Sequence, residues 1–315
     1  MTELINTFSW SISAAEDFAE CHRRRYWAKY AMWNGWKEHA TELQRTAYRL
    51  NKMENRFTLQ GNAVEKAVMW ALCQKQEGKD VTVDQAYTAA VRPFLNQCWQ
   101  ESRNKKWESN PKKFCCLQEH YYPEYSKQTE LDMTTQMIER IKLCISNFIQ
   151  KVLPRIKEVR KDEEVEITTV DSGRDPESFP LEGFKIYAIP DYAYRKHGQM
   201  HIHDWKSGKS KQTHNDQMAL YGLWANVKHK VPVGDIHVHL EYLKSGEVQS
   251  TKLTQNEFER ITQLIHESVS DMAEYLAGGD IQQNAPLPME DWEMVATLNT
   301  CKRCKFYELC KPELE

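Results

Sequence analysis

Residues 189–206 read IPDYAYRKHGQMHIHDWK. The dipeptide His197-Gly198 separates two alternating runs, and its residue types suit the type I′ turn of a two-residue hairpin. With the turn centred there, Lys196 pairs with Gln199, and the same register sets Asp191 directly opposite Asp204. Side chains alternate along a strand, so Lys206 points to the face of Asp204, with Ile189, Ala193, Met200 and Ile202 as apolar neighbours. Like charges placed opposite each other destabilise a sheet, and burial raises the cost unless a cation compensates. A divalent metal is the natural compensation. Carboxylates that leave room for waters and a phosphate describe a Mg²⁺ or Mn²⁺ site, and an adjacent lysine can orient the attacking water. The chemistry implied is metal-assisted phosphodiester hydrolysis; the plain alternative is a solvent-facing hairpin with an exposed Asp–Lys pair.

Outward from the hairpin, the chain reads as helical before it and mixed around it, with no internal repeat. Helices are expected over 12–34, over 62–76 after Gly61, over 83–103, and over 131–160, where Met133, Met137, Ile141, Cys144 and Phe148 form one stripe. Residues 104–113 read as a basic polar loop. Strands are expected over 164–170 and 184–195, the latter pairing with Gln199–Lys206. A helix over 214–228 and a second hairpin over 235–243 and 247–253 follow. Thr254 and Glu257 have capping-box spacing and open a helix that runs to Gly278-Gly279. Residues 280–292 read as a connector to a cysteine-bearing tail. The order of elements predicts an α/β fold with a large helical N-terminal elaboration. Three segments result: a helical region 1–160, an α/β core 161–279 and a tail 280–315 packed back on the first helix.

Ile189-Pro190-Asp191, twelve intervening residues and Asp204-Trp205-Lys206 together resemble the PD-(D/E)XK nuclease signature. Gln217 and Tyr221, four apart and so on one helix face, resemble the QxxxY motif of the RecB-like branch, where such residues hold the DNA strand near the metal. That branch usually carries, in an early helix, a glycine followed four residues later by a metal-binding histidine. Here Gly61 is followed by Glu65, so the sequence departs from the pattern. A carboxylate is a good ligand for a hard cation, and Glu65 is expected as the third ligand; an ordinary exposed helix glutamate is the alternative. The resemblance implies a restriction-endonuclease-like core, a central mixed sheet flanked by helices. It also implies that Asp191, Asp204 and Glu65 ligate Mg²⁺ or Mn²⁺, that the Trp205 carbonyl joins them, and that Lys206 positions the water.

The same resemblance, to CRISPR-associated RecB-like exonucleases and the nuclease domains of recombination helicase–nucleases, implies a substrate of single-stranded DNA or DNA ends. Exonuclease-like action in repair, recombination or defence goes with it. Residues 79–130 have no counterpart in shorter members, which leaves room for a specialised subtype or a protein partner in such a complex. The rival reading is a DNA-binding subunit of a repair or defence complex, its hydrolysis weakened or lost through the change at Glu65.

Cys301-Lys302-Arg303-Cys304, five further residues and Cys310 gather three thiols in the tail, one short of a tetrahedral set. The segment around Cys21 resembles the amino-terminal cysteine motif of RecB-like iron–sulfur nucleases. That implies a [4Fe–4S] cluster on Cys21, Cys301, Cys304 and Cys310, with structural Zn²⁺ as the competitor for the same thiols. Cys73, Cys98, Cys115, Cys116 and Cys144 lack such spacing, and burial is expected for them.

The 315 residues carry 42 Lys and Arg against 45 Asp and Glu, a formal net charge of -3, which excludes a globally basic DNA-coating protein. No apolar run approaches the ~20 residues of a membrane span. The amino terminus lacks a basic stretch followed by an apolar one, so no secretory signal is expected, and the nine cysteines are expected in a reducing cytoplasm. Without a GxGxxG, a nucleotide-dependent redox enzyme is not supported. Positive charge is clustered: Arg23, Arg24, Arg25 and Lys29; Lys105, Lys106, Lys112 and Lys113; and Lys206, Lys209 and Lys211. Phosphate contacts need local charge, and Arg24, Arg25 and Lys209 are candidate DNA contacts. Trp27, Tyr30, Trp33 and Trp36 interleave with the first cluster and can stack bases, although Trp33 and Trp36 read better as core.

Overall fold

The computed structural model describes residues 4–122, 124, 132–172 and 174–314. Two strands, β4 (Tyr192–Lys196) and β5 (Gln199–Lys206), form the expected hairpin. Their pairs run from Tyr192 opposite His203 to Lys196 opposite Gln199. His197 (φ 51°) and Gly198 (φ 81°) both lie in the left-handed region, as a type I′ turn demands. β5 pairs in parallel with β6 (Ile236–Tyr242), and β6 pairs antiparallel with β7 (Glu247–Lys252), so the order is β4-β5-β6-β7. A parallel pair needs a crossover, and the helix Thr213–His229 supplies it. The helix Gln255–Ala273 follows β7. Its Thr254–Glu257 capping box is formed in both directions, at 2.8 and 3.4 Å.

Both faces of this sheet are covered. Ala193, Met200, Ile202, Ile236 and Val238 pack under the helices Thr213–His229 and Gln255–Ala273. Gly222 permits that approach, because a Cβ there would collide with Leu253. On the opposite face Tyr192, Tyr194 and Trp205 pack with Val64, Val68, Ile141 and Phe148, from the helices Arg56–Gln76 and Met137–Asn147 and the turn after them. The expected architecture, a mixed sheet flanked by helices, is the one observed. A second sheet, ordered β1-β3-β2, joins β1 (Ser9–Trp10), β2 (Ser178–Leu181) and β3 (Phe184–Tyr187). Trp10 and Trp292, from opposite ends of the chain, share the first core with the sheet. No helix of the described residues is long and apolar enough to cross a membrane.

The departures from expectation have local causes. Residues 184–195 do not form one strand: β3 ends at Tyr187, and the chain enters the other sheet at Tyr192. Pro190 lies between them and has no N–H to give a ladder. Residues 164–170 are not a strand either. Only Glu164 bridges to Tyr194, and the Val165 amide donates to Ala193 at 2.9 Å, because β4 offers so short an edge. The helix expected over 12–34 breaks at Cys21, which is extended (φ -166°, ψ 116°) between Ile12–Glu20 and His22–Tyr26. The helix expected after Gly61 begins earlier, at Arg56, where Asn55 caps it, so Gly61 lies inside it. Prolines 93 and 154 sit at the first turns of Arg92–Arg103 and Leu153–Ile156, and wide π-helical turns precede both. Position 131, the expected start of the fourth helix, lies outside the described residues. The helix opened by Thr254 stops at Ala273, short of Gly278-Gly279.

The sheet face beneath Tyr194 carries a ladder of histidines that composition gave no reason to expect. His201 and His239 are bonded at 3.0 Å, His239 and Ser250 at 2.9 Å, and His203 and Glu241 at 2.8 Å. Burial pushes His201 down to about 4, His203 to about 3 and His239 to about 2. The unfolded chain takes up these protons below about pH 6.5 and the fold refuses them, so the contribution is full above that value and is lost as the pH falls. Glu241, held high by burial, acts in the opposite sense and offsets part of the loss. A His239→Gln variant is expected to lose less melting temperature than the wild type between about pH 7 and about pH 5; an equal loss would remove the ladder as the cause.

Candidate active site

The bend at Pro190 brings Asp191 out of the ladder, and its Oδ2 accepts from the Trp205 amide at 2.7 Å. Asp204, one residue earlier on β5, is 1% exposed. Lys206 Nζ lies 2.7 Å from Asp204 Oδ2, but outside hydrogen-bond alignment, so that oxygen has an ion-pair partner and no hydrogen bond. The crossover helix completes the arrangement. Lys206 Nζ donates to Gln217 Oε1 at 2.6 Å, and Gln217 Nε2 donates to Tyr221 Oη at 2.7 Å. Tyr221 Oη in turn donates to the Ile189 carbonyl at 2.9 Å and lies 3.4 Å from Asp204 Oδ1. Lysine, glutamine, tyrosine and aspartate thus form a ring that ties the helix to the hairpin and fixes where the ammonium sits.

Burial holds the Asp191 carboxyl well above the usual carboxylate range, and the charges of Asp204 and Glu65 push the same way. Lys206 and the Trp205 amide oppose them without cancelling them. Tyr221 is likewise raised, by burial and by both aspartates, so it stays a neutral donor. Glu65, on the solvent side of Arg56–Gln76, lines a 130 Å³ cavity with Gly61, Asp191, Trp205 and Ser207. Lys206 and Gln217 face a 540 Å³ cleft that also has Ser13, Lys211 and His214 on its walls. The carboxylate pair therefore stands between two openings. Its negative charge exceeds what Lys206 and one amide supply, and the Asp204 oxygen without a hydrogen bond suits a hard divalent cation.

Among the residues singled out from sequence, Asp191, Asp204, Trp205, Lys206, Gln217 and Tyr221 come together, and Glu65 reaches their edge. Lys209 lies exposed in the loop after β5. Arg24 and Arg25 serve the fold: Arg24 pairs with Asp17 at 2.7 Å and with Glu20, and Arg25 donates to the Ser9 carbonyl at 3.2 Å. Trp27 is buried and cannot stack a base, whereas Trp36, expected in the core, is 40% exposed. Ser207 and the cleft residue His214 were not found in the sequence. Ser207 directly follows the lysine, and His214 stands three residues before Gln217, so position relative to the motif is the signal that points to them.

The four singled-out cysteines also meet. Cys21, Cys301, Cys304 and Cys310 line one small cavity with Trp27 and Phe306. The break at Cys21 turns its thiol toward the tail. Trp27 Nε1 donates to Cys310 Sγ at 3.2 Å, and the Phe306 amide to Cys304 Sγ at 3.4 Å. Burial raises Cys301 and Cys304, and raises Cys310 to about 11. All nine cysteines are free thiols. Cys98, Cys116 and Cys144 are buried as expected and Cys115 partly so, but Cys73 is exposed because it falls on the outer face of its helix. Among the described residues no three His, Cys, Asp or Glu side chains stand grouped closely enough to clasp a metal ion as they are.

A sequence profile described as the PD-(D/E)XK nuclease superfamily matches residues 9–311. No curated protein matches the chain.

A carboxyl whose folded pKa is raised disfavours folding increasingly as the pH climbs above its unfolded value of about 3.9. Asparagine at 191 keeps an acceptor for the Trp205 amide and removes the charge. In the presence of chelator, Asp191→Asn is therefore expected to melt above the wild type near neutral pH, with the difference vanishing toward about pH 4. A lower melting temperature at neutral pH would show that the pair is not under electrostatic strain.

Proposed function

Because the chain belongs to the PD-(D/E)XK nuclease superfamily, a family of metal-dependent phosphodiester hydrolases with DNA as substrate, we propose that the hairpin is its catalytic centre. The observation that carries this is the buried Asp191–Asp204 pair with Lys206 beside it. In this reading Asp191, Asp204, the Trp205 carbonyl and Glu65 hold Mg²⁺ or Mn²⁺. Such an ion, when bound, polarises the phosphate and stabilises the charge that develops on it. Lys206 is held by Gln217 so that its ammonium faces the cleft, where it orients the attacking water. Tyr221 holds Asp204 and the Ile189 carbonyl in place, and Gln217 also lines the cleft and is available to the DNA strand. Residues 161–279 are then the nuclease core, 1–160 the region that adds Glu65 and the first thiol, and 280–315 the tail.

The substrate proposed is single-stranded DNA or DNA ends, cut in an exonuclease-like manner in repair, recombination or defence, as in the RecB-like branch. The test is cleavage of labelled single- and double-stranded DNA with Mg²⁺ or Mn²⁺. Asp204→Ala and Lys206→Ala are each expected to lose at least about 100-fold in rate. Cleavage surviving in both variants would overturn the assignment of the hairpin. DNA binding without cleavage by the wild type would instead favour a binding subunit.

We further propose that Cys21, Cys301, Cys304 and Cys310 hold a [4Fe–4S] cluster. The support is the meeting of thiols from both ends of the chain, with N–H donors aimed at two sulfurs, a feature that tunes such clusters. Protein purified without oxygen is expected to be brown and to hold about four iron atoms per chain, with colour and iron lost in Cys304→Ser. A colourless protein with one zinc ion would identify a zinc site instead.

A further inference from the structure

A cavity of 800 Å³ lies apart from the hairpin and shares no lining residue with the two openings beside the carboxylates. One wall is the segment 32–37, bent by Asn34 (φ 64°). Gly35 lets that segment press on the helix Glu42–Asn51, since a Cβ there would collide with the Gln44 carbonyl and Tyr48. The indole of Trp36 is left outside, 40% exposed, edge-on to Trp33 at 5.1 Å and tilted against Tyr48 at 5.6 Å. The far wall is the short turn Lys106–Glu108, whose Trp107 lies under the Arg49 guanidinium at 5.9 Å, and the loop that ends at Lys112.

The charge of this groove is unbalanced. Lys37, Arg45, Arg49, Lys52 and Lys112 face Glu38, Glu42 and Glu108. Among the described residues neither Lys52 nor Lys112 makes an ion pair. Burial and the neighbouring Lys112 ammonium together lower Lys52 from its ordinary value, and Lys52 Nζ rests over the Tyr48 ring at 5.6 Å. Two ammoniums set close without an anion favour a ligand that brings one. An exposed indole beside them favours a flat aromatic group on the same ligand.

We propose that this groove is a second nucleic-acid site, which holds a single-stranded segment of the substrate with a base on Trp36 and its phosphates between Lys52 and Lys112. The inference rests on the reading of DNA as the substrate. A single strand is the form that fits, because bases in a duplex are stacked on each other and cannot reach a side-chain platform, whereas unpaired bases stack on exposed aromatic rings. Phosphates neutralised by lysine make such binding salt-dependent.

The test is binding of a fluorescent oligothymidylate, and of a duplex of equal length, in chelator, by the full chain. Trp36→Ala is expected to weaken the single strand at least about 5-fold, with Trp36→Phe restoring most of it, and to leave the duplex unchanged. Lys52→Gln with Lys112→Gln is expected to lower the slope of log affinity against log salt by about 1.4, two phosphates at ~0.7 each. Melting temperatures near the wild type's show that the variants fold. Unchanged single-strand affinity and salt slope, or an equal loss for the duplex, overturns the proposal. Cleavage of a dinucleotide, which offers one phosphodiester and no further strand, keeps the two readings apart. Its absence in the wild type counts against the catalytic centre alone, and its loss in Trp36→Ala counts against a separate groove.

Discussion

Two buried aspartates brought near each other at the open end of a hairpin, Asp204 on β5 and Asp191 just before β4, are the constraint on which this structure turns. A slip of one residue in β4 against β5 would turn Asp204 and Lys206, and Met200 and Ile202 with them, onto the face of Tyr192 and Tyr194, and would put His203 and Trp205 under the helices in their place. The His197-Gly198 turn forbids the slip, since both residues need positive φ and the strands on either side are fixed by it. The helix Thr213–His229 then has one way to lie, with Gln217 and Tyr221 over the lysine and the aspartate. Pro190 ends one sheet and begins the other at the residue before Asp191. Chain reversal, crossover and bend thus all serve one small volume of negative charge.

The parts that were legible in the sequence are those set by local chemistry. The turn residues gave the register, Thr254 with Glu257 gave a helix start, and four-residue spacing put Gln217 and Tyr221 on one face. The superfamily resemblance drawn from Asp191, Asp204 and Lys206 agrees with a match that spans residues 9–311. The parts that were not legible depend on partners far along the chain. The alternating residues 164–170 look like a strand but find little edge to pair with. Residues 184–195 read as one run because hydrophobicity does not register the missing N–H of Pro190. Cys21 interrupts a good helical pattern to meet thiols some 280 positions away. Trp36 reads as core by composition, yet close packing at Gly35 leaves it no inward path.

Both ends of the chain are knitted to the body by more than their cysteines. Arg23 donates to the Trp292 carbonyl and to Glu313, each at 2.6 Å, and Lys305 donates to the Asn51 carbonyl at 2.9 Å. Of the arginines clustered after Cys21, Arg23 is spent on this closure, while Arg24 and Arg25 are held within the amino-terminal segment by Asp17, Glu20 and the Ser9 carbonyl. Among the described residues Lys52 and Lys112, in the groove below Trp36, and Lys209, after β5, make no ion pair. In the proposed reading the needs are separated: an acidic pair for a cation, a cleft for the scissile phosphate, and aromatic and basic surface for the rest of a strand.

The central claim is that the Asp191–Asp204 pair exists to hold a divalent cation, and binding of Mn²⁺ in the absence of DNA addresses it without reference to cleavage. Titration of the full chain, followed by the loss of the free-ion paramagnetic resonance signal, is predicted to reveal a site that disappears in Asp204→Asn while the fold is retained. Mn²⁺ bound equally by the wild type and by that variant would contradict the account.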